Sequence, residues 1–304
     1  MQLDTIPVFG GSELTVTIVI CTRNRPILLR KCLEGIAHLD RSPDEVIVVD
    51  NTSGDEETKA VAREFAVVYT FEPIQGLSRA RNRGMSESNS DIVAYLDDDA
   101  VPDRHWLGNL LGPFEDQKVA AAAGRIVTPQ SPSESSTSQV ARSLSNKDPK
   151  WFEIATFGGF GLGSNMAIRK QACGGQRVFD ERLGRGAPFQ IAEENYALAF
   201  LISHGYTAVY LPDAIVFHPT LRPLEIAPEA RNRIAYWMLL FAEFPDRRLD
   251  LLRFLFRRMR RKPLTWSRDA PDPGEIASSG WRVLLAASLH GVLLFFRTRK
   301  PKGE

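Results

Sequence analysis

The chain has 304 residues, 43% hydrophobic and 25% charged, with 38 Lys and Arg against 37 Asp and Glu for a formal net charge of +1. That is enough apolar material for a sizeable core, and so even a balance excludes a general electrostatic pull toward nucleic acid or acidic partners. Cys21, Cys32 and Cys173 have neither metal-site nor redox-motif spacing, which suits a reducing compartment.

The opening MQLDTIPVFGGSELT lacks the basic region and apolar core of a signal peptide, so none is expected. VTIVIC (16–21) reads as a buried strand. PILLRKCLEGIAHL then places Ile27, Leu28, Cys32, Leu33 and Ile36 at helical spacing, with Pro26 at a suitable first position. EVIVVD (45–50) is a second strand, DEETKAVAREFA a short amphipathic helix, VVYTF (67–71) a third strand, GLSRARNRGMSES a helix and DIVAYLD (91–97) a fourth strand. Strands alternating with helices predict a parallel α/β sheet, which binds ligands at the carboxyl ends of its strands. Polar and acidic residues collect at those ends, in CTRNRP, VVDNTSGD and LDDDAVP.

VAAAAGRIVT (119–128) is another strand, and the Ser- and Pro-rich PQSPSESSTSQVARSLSNKDP after it reads as a mobile loop. EENYALAFLISHG is a helix closed by Gly205, and TAVYL and AIVFH are two short strands. Toward the end, LLRFLFRRMRRK (251–262) carries six basic residues and no acid, with Leu252, Leu255, Phe256 and Met259 on one helical face. WRVLLAASLHGVLLFF (281–296) is interrupted by Arg282 and His290 and falls short of the roughly 20 residues that a spanning helix needs. There is no internal repeat.

No glycine-rich dinucleotide fingerprint, phosphate-binding loop, zinc-protease helix or nucleophile elbow is present. Asp97, Asp98 and Asp99 are therefore the first candidates for chemistry. Asp97 and Asp99, spaced i, i+2 on a turn, can point the same way and hold a hard divalent cation, which could clamp a diphosphate. A solvated acidic turn is the alternative on composition alone. Asp50, closing the second strand, reads as a turn residue or as an acceptor for a base or ribose. Arg79, Arg81 and Arg83 offer planar forks for phosphate, although only some of them can face one crevice. Glu193 and Glu194 open a helix, where acids are favoured by the helix dipole in any case; one of them is a candidate general base. His218, ending a short strand, is a candidate metal ligand.

Taken in order, TVTIVICTRNRP, EVIVVDNTS, GLSRARNRG, IVAYLDDDAVP, GSNMAIRK, FDERLG and AEENYALAFLISHGYTAVYLPDAIVFH resemble glycosyltransferase family 2, inverting nucleotide-sugar transferases with the GT-A fold, over roughly residues 15 to 220. The resemblance implies an α/β GT-A fold, a Rossmann-like mixed sheet flanked by helices. Residues 1–220 would form the catalytic domain, with a donor part at about 15–128 and an acceptor part at about 129–220, and 221–304 a C-terminal helical, basic amphipathic region. It implies a donor site of Thr22, Arg23, Asp50, Arg81, Asn82, Asp97 and Asp98. It also implies Mg2+ or Mn2+ on Asp99, Asp97 and His218, and a catalytic base at Glu194, with Glu193 as the substitute. Glu194 stands where the family usually has Asp, one methylene shorter, and Tyr196 and Phe200 replace an acid and an arginine usual further along that helix. The implied donor is a UDP-, GDP- or dTDP-sugar and the implied acceptor a carbohydrate or lipid-linked hydroxyl of the cell envelope.

Two rivals are carried. A nucleotidyltransferase acting on sugar phosphates would want glycines that CTRNRP, with Arg23 and Arg25, does not supply. An inactive sugar-nucleotide-binding module would keep the fold without turnover. The basic segments 251–262 and 281–302 read either as helices packed on the catalytic domain or on a second copy, or as a peripheral contact with the inner face of the cytoplasmic membrane. A cytoplasmic location is expected.

Overall fold

The computed structural model describes residues 14–51, 56–129, 140–158, 160–161, 163–219, 226–261 and 280–298. The first half follows the order its apolar periods predict, except that the helix after the first strand buries Leu29 with Cys32, Leu33 and Ile36, while Ile27, expected on that face, is 73% exposed in the first turn and Leu28 is half-buried. Strand β1 (Val16–Thr22), helix α1 (Pro26–Ala37), β2 (Glu45–Asn51), α2 (Glu56–Glu64), β3 (Val68–Glu72), α3 (Leu77–Glu87) and β4 (Ile92–Asp97) follow one another. β3, β2, β1 and β4 lie side by side and parallel. Strand order reverses between β1 and β4, so the ligand crevice of such a sheet opens beyond Thr22 and Asp97.

The second half departs from an all-parallel sheet. β5 (Val101–Pro102), α4 (Trp106–Leu111), β6 (Val119–Val127), β7 (Arg142–Leu144), α5 (Trp151–Thr156), β8 (Asn165–Arg169), α6 (Glu193–Ser203) and β9 (Thr207–Phe217) complete a mixed sheet that has nine strands among the described residues. β8 runs antiparallel between β4 and β6, and β5 and β7 run antiparallel along β9. The expected pair of strands TAVYL and AIVFH is one strand: Pro212, Asp213 and Ala214 interrupt the register against β6 between Gly124 and Arg125 without breaking the pairing on either side. A bulge absorbs the two turn-forming residues. Part of the expected loop is also a strand. Arg142, Ser143 and Leu144 pair with Tyr210, Val209 and Ala208, because β5 covers only the other end of β9. Residues 130–139 of that expected loop lie outside the described residues.

The strands are apolar on both faces because both are covered. Ile18 and Ile20 pack with Leu29, Cys32 and Leu33 of α1 and Leu107 and Leu110 of α4. Val19, Val93 and Tyr95 face the other side and join Ala80 of α3, Phe152 of α5 and Ala197 and Leu201 of α6. Helices α7 (Ile226–Glu243), α8 (Arg248–Arg261) and α9 (Gly280–Thr298) enter that second cluster through Tyr236, Leu240, Leu251 and Phe295. α6 ends at Ser203, and Gly205 takes φ +91° just beyond, as its sequence predicts. Among the described residues no helix is long and apolar enough to cross a membrane.

Candidate active site

The acidic turn is made by β4 ending against a strand of two residues. The Ala100 amide donates to the Asp97 carbonyl (3.1 Å), closing the turn, and Val101 and Pro102 pair with Phe217 and Val216. This pairing carries His218, 119 positions further on, to the turn; its amide donates to the Val127 carbonyl (2.9 Å). His218 Nε2 lies 3.1 Å from Asp99 Oδ1 and 3.7 Å from Asp97 Oδ2. Its other nitrogen is 2.6 Å from the Pro219 carbonyl, which orients the ring and leaves Nε2 toward the carboxylates.

The three aspartates do different work, as the i, i+2 spacing predicts for two of them. Asp97 and Asp99 share one side. Asp98 is turned in and buried, accepting from the Thr22 hydroxyl (2.7 Å) and from Arg25 Nη1 (2.9 Å). Burial pushes the Asp98 carboxyl up to about 6 against those two partners. Burial works the same way on Asp99, but the hydrogen bond and charge of His218, with Arg25 at 3.2 Å, hold it below the usual carboxylate range. For His218, burial disfavours the charge, and the hydrogen bonds to Asp97, Asp99 and the Pro219 carbonyl outweigh it, pushing the ring up to about 10.

These residues fit a divalent cation. One ligand atom from each of Asp97, Asp99 and His218 lies within 4.8 Å of the others. Two carboxylates and an imidazole form a donor set that Mn2+ or Mg2+ accepts. The imidazole's second nitrogen is already held by a carbonyl, as metal-bound histidines require.

A second chain of charge joins this turn to α6. Arg81 is buried in α3, where Nη1 donates to Glu193 (2.8 Å), Nη2 to the Gly163 carbonyl (3.1 Å), and Nη2 stands 3.6 Å from Asp97. Steps of two residues on a helix differ by roughly 200°, so its neighbours point elsewhere: Arg79 pairs with Glu181 and Arg83 with Glu87. Asn82, expected beside Arg81 at the donor, is engaged at both amide atoms by the backbone of Phe179 and ties that loop to α3. Asp50 is fully buried and accepts from the Tyr69 hydroxyl (2.8 Å). Arg23 is exposed on the loop after β1, next to Asn24 at φ +53°.

The entry to α6 is strained. Ala192 sits at φ +65°, a region that costs a residue with a Cβ about 1 kcal/mol or more, and Glu193 and Glu194 follow at once. The two differ sharply. Glu193 is buried and committed to Arg81. Glu194 borders an apolar cavity of about 40 Å³ with Phe160, Gly161, Ala123 and Met166, and burial together with the charge of Glu193 pushes its carboxyl up to about 8.

Arg25 was not expected as a site residue, yet it bridges Asp98 and Asp99. The signal available was its place directly before Pro26, where α1 starts beside the crevice. Tyr69, the partner of Asp50, gave no signal, because only strand pairing brings the two together.

The family model for glycosyl transferase family 2 matches residues 17–175, more than half of the chain. Over 125 residues the chain is 38% identical to the pre-mycofactocin glycosyltransferase of Mycobacterium tuberculosis, covering 40% of this chain and 26% of that protein. It is 27% identical over 227 residues to the probable glycosyltransferase YdaM of Bacillus subtilis, covering 66% of this chain and 50% of that one. The chain thus matches half or less of the length of these relatives. A mannosyltransferase from Pyrobaculum calidifontis, solved with GDP-mannose and Mn2+, is similar at a TM-score of 0.57 and 16% identity, over 99% of this chain and 92% of that one. The mixed sheet, with the acidic turn at the end of β4, is thus a GT-A fold, and the chain belongs to glycosyl transferase family 2.

Proposed function

We infer that the chain transfers a sugar from a nucleotide-diphosphate sugar to an acceptor hydroxyl, with inversion, in glycoconjugate synthesis. The observation that carries this reading is the convergence of Asp97, Asp99 and His218 at the carboxyl end of β4, linked through Arg81 to the paired glutamates of α6. The relative solved with GDP-mannose and Mn2+ supports a nucleotide-sugar donor and a divalent cation.

Asp97, Asp99 and His218 would hold Mn2+ or Mg2+, which when bound supplies positive charge to a leaving diphosphate. The chain's own residues account for the rest. Asp98, fixed by Thr22 and Arg25, props the turn from behind, so that Asp97 and Asp99 face the crevice. Arg81 holds Glu193 as its counter-ion, so that carboxylate is committed to the guanidinium. Glu194 is raised by burial and by the charge of Glu193, which the charge of Arg81 only partly offsets, and this makes it a competent acceptor once ionised. It takes the acceptor hydroxyl's proton as the oxygen bonds to the anomeric carbon. The bond from that carbon to the diphosphate breaks on the opposite face, and the nucleoside diphosphate leaves with the electron pair. One displacement inverts the anomeric centre.

The test is calorimetric titration of the purified chain with UDP, GDP and dTDP, each with and without Mn2+. The same protein is then assayed for transfer with the matching sugar nucleotides, and the anomeric configuration of the product is read by NMR. Binding of one nucleotide only with metal, and an inverted product, are expected. Pyrophosphate release from a nucleoside triphosphate and a sugar phosphate would turn the assignment to a nucleotidyltransferase, and binding without transfer over a wide acceptor panel to an inactive module.

A further inference from the structure

The last helices leave several large apolar side chains exposed. α8 sends Leu251 into the core and stacks Phe254 on Phe157, ring centroids 3.9 Å apart. A second apolar stripe, Leu249, Leu252 and Phe256, runs along the same helix at i, i+3 and i+7. α9 repeats the pattern: Phe295 is buried, while Leu289, Leu293 and Phe296 at i, i+4 and i+7 are not. All six stripe residues are between 43% and 66% exposed. A groove of about 400 Å³ is walled by Trp237 and Met238 of α7, Leu251 and Leu252 of α8, and Phe295 and Phe296 of α9. Single exposed leucines are ordinary, but two apolar stripes that reach one apolar groove through Leu252 and Phe296 mark a docking surface.

Charge identifies the occupant. In sequence α8 holds six arginines and one aspartate, and α9 two arginines and no acid, in a chain whose whole balance is +1; Arg257 is paired with Glu153, while Arg253, 3.7 Å from Asp250, stays 69% exposed. A symmetric contact with a second copy would set these arginines against one another. An anionic bilayer complements both features at once, because apolar side chains enter the acyl boundary while guanidinium groups meet phosphates. α7, which walls the groove, is also tied to the core. Tyr236 of α7 donates to the Thr156 carbonyl of α5 (3.1 Å) and feels the charges of Glu193 and Glu194.

We propose that the α8–α9 face docks on an anionic phospholipid surface, laying both apolar stripes into it. The docking stands apart from the transfer reading, and its test needs no activity. The full chain is floated with vesicles of phosphatidylcholine alone and with vesicles that also contain phosphatidylglycerol, at low and high salt. It floats with the anionic vesicles at low salt, stays behind with the neutral ones, and is released by salt. Leu252→Glu and Leu293→Glu, both at exposed positions, each lower the partition about tenfold, and Arg253→Gln lowers it about fivefold, with unchanged melting curves. Failure of the unaltered chain to float with anionic vesicles overturns the proposal. So does flotation indifferent to both leucine variants, or a concentration-dependent dimer that shields Leu252 and Leu293 from vesicles.

Discussion

Glu193 and Glu194 are neighbours of the same type, and their surroundings divide them. Glu193→Gln removes the counter-ion of a buried arginine, a loss of about 3 kcal/mol or more, so urea unfolding shifts to lower concentration whatever the activity. Glu194→Gln removes the carboxylate proposed as the proton acceptor. The turnover rate falls by about 10²–10⁴, while nucleotide affinity in calorimetry stays near that of the unaltered chain. The raised value of Glu194 also links the fold to pH. A carboxyl held near 8 when folded, against an ordinary 4.5, stabilises the fold fully below the unfolded value and loses that contribution as pH rises through about 8. Melting curves of Glu194→Gln and the unaltered chain are expected to coincide near pH 5 and to separate by pH 9, with the variant the more stable. The turnover rate of the unaltered chain climbs with pH and levels above about 8. Asp99→Ala addresses the metal. The unaltered chain gains about 2.7 kcal/mol of stability with Mn2+ and nucleotide at a hundredfold excess over Kd, and the variant loses that shift in a thermal melt. A full shift in the variant would sink the ligand assignment.

At the scale of elements, the first half was legible because each strand and helix carries its own period. β1, β2 and β4 are buried runs, α1 repeats at 3.6 residues, and Pro26 and Gly205 punctuate as their stereochemistry requires. The second half was less legible where pairing partners decide. RSL becomes β7 only because β9 offers an edge, and VYLPDAI stays one strand only because β6 tolerates the bulge beside it. Helix α3 shows how tightly these elements meet. A Cβ at Gly84 would stand 2.3 Å from Val19 Cγ1 on β1. Gly84→Ala is therefore expected to cost about 1–3 kcal/mol by overpacking despite the higher helix propensity of alanine, and a shift of the denaturation midpoint would measure it.

At the scale of the molecule, α7–α9 are part of the fold as well as a candidate membrane face. Phe295 belongs to the same hydrophobic cluster as Tyr236, Leu251 and the face of the sheet toward α6. Phe295→Ala is expected to cost about 3 kcal/mol and to lower the melting temperature, whereas Leu293→Glu, two residues away on the open side, leaves it unchanged. By itself the sequence determined the α/β class, the crevice at the carboxyl ends of the parallel strands, the i, i+2 carboxylates at its centre and the basic amphipathic end. Those features rest on local periodicity and on short spacings along the chain. Only the tertiary structure decided that His218 meets Asp99, that Asp98 faces inward to Thr22 and Arg25, that Asn82 braces Phe179, and that Arg81 binds Glu193. Those outcomes depend on which strand pairs with which and on which side chain burial turns inward, and residues 119 or 112 positions apart carry no trace of that in their spacing.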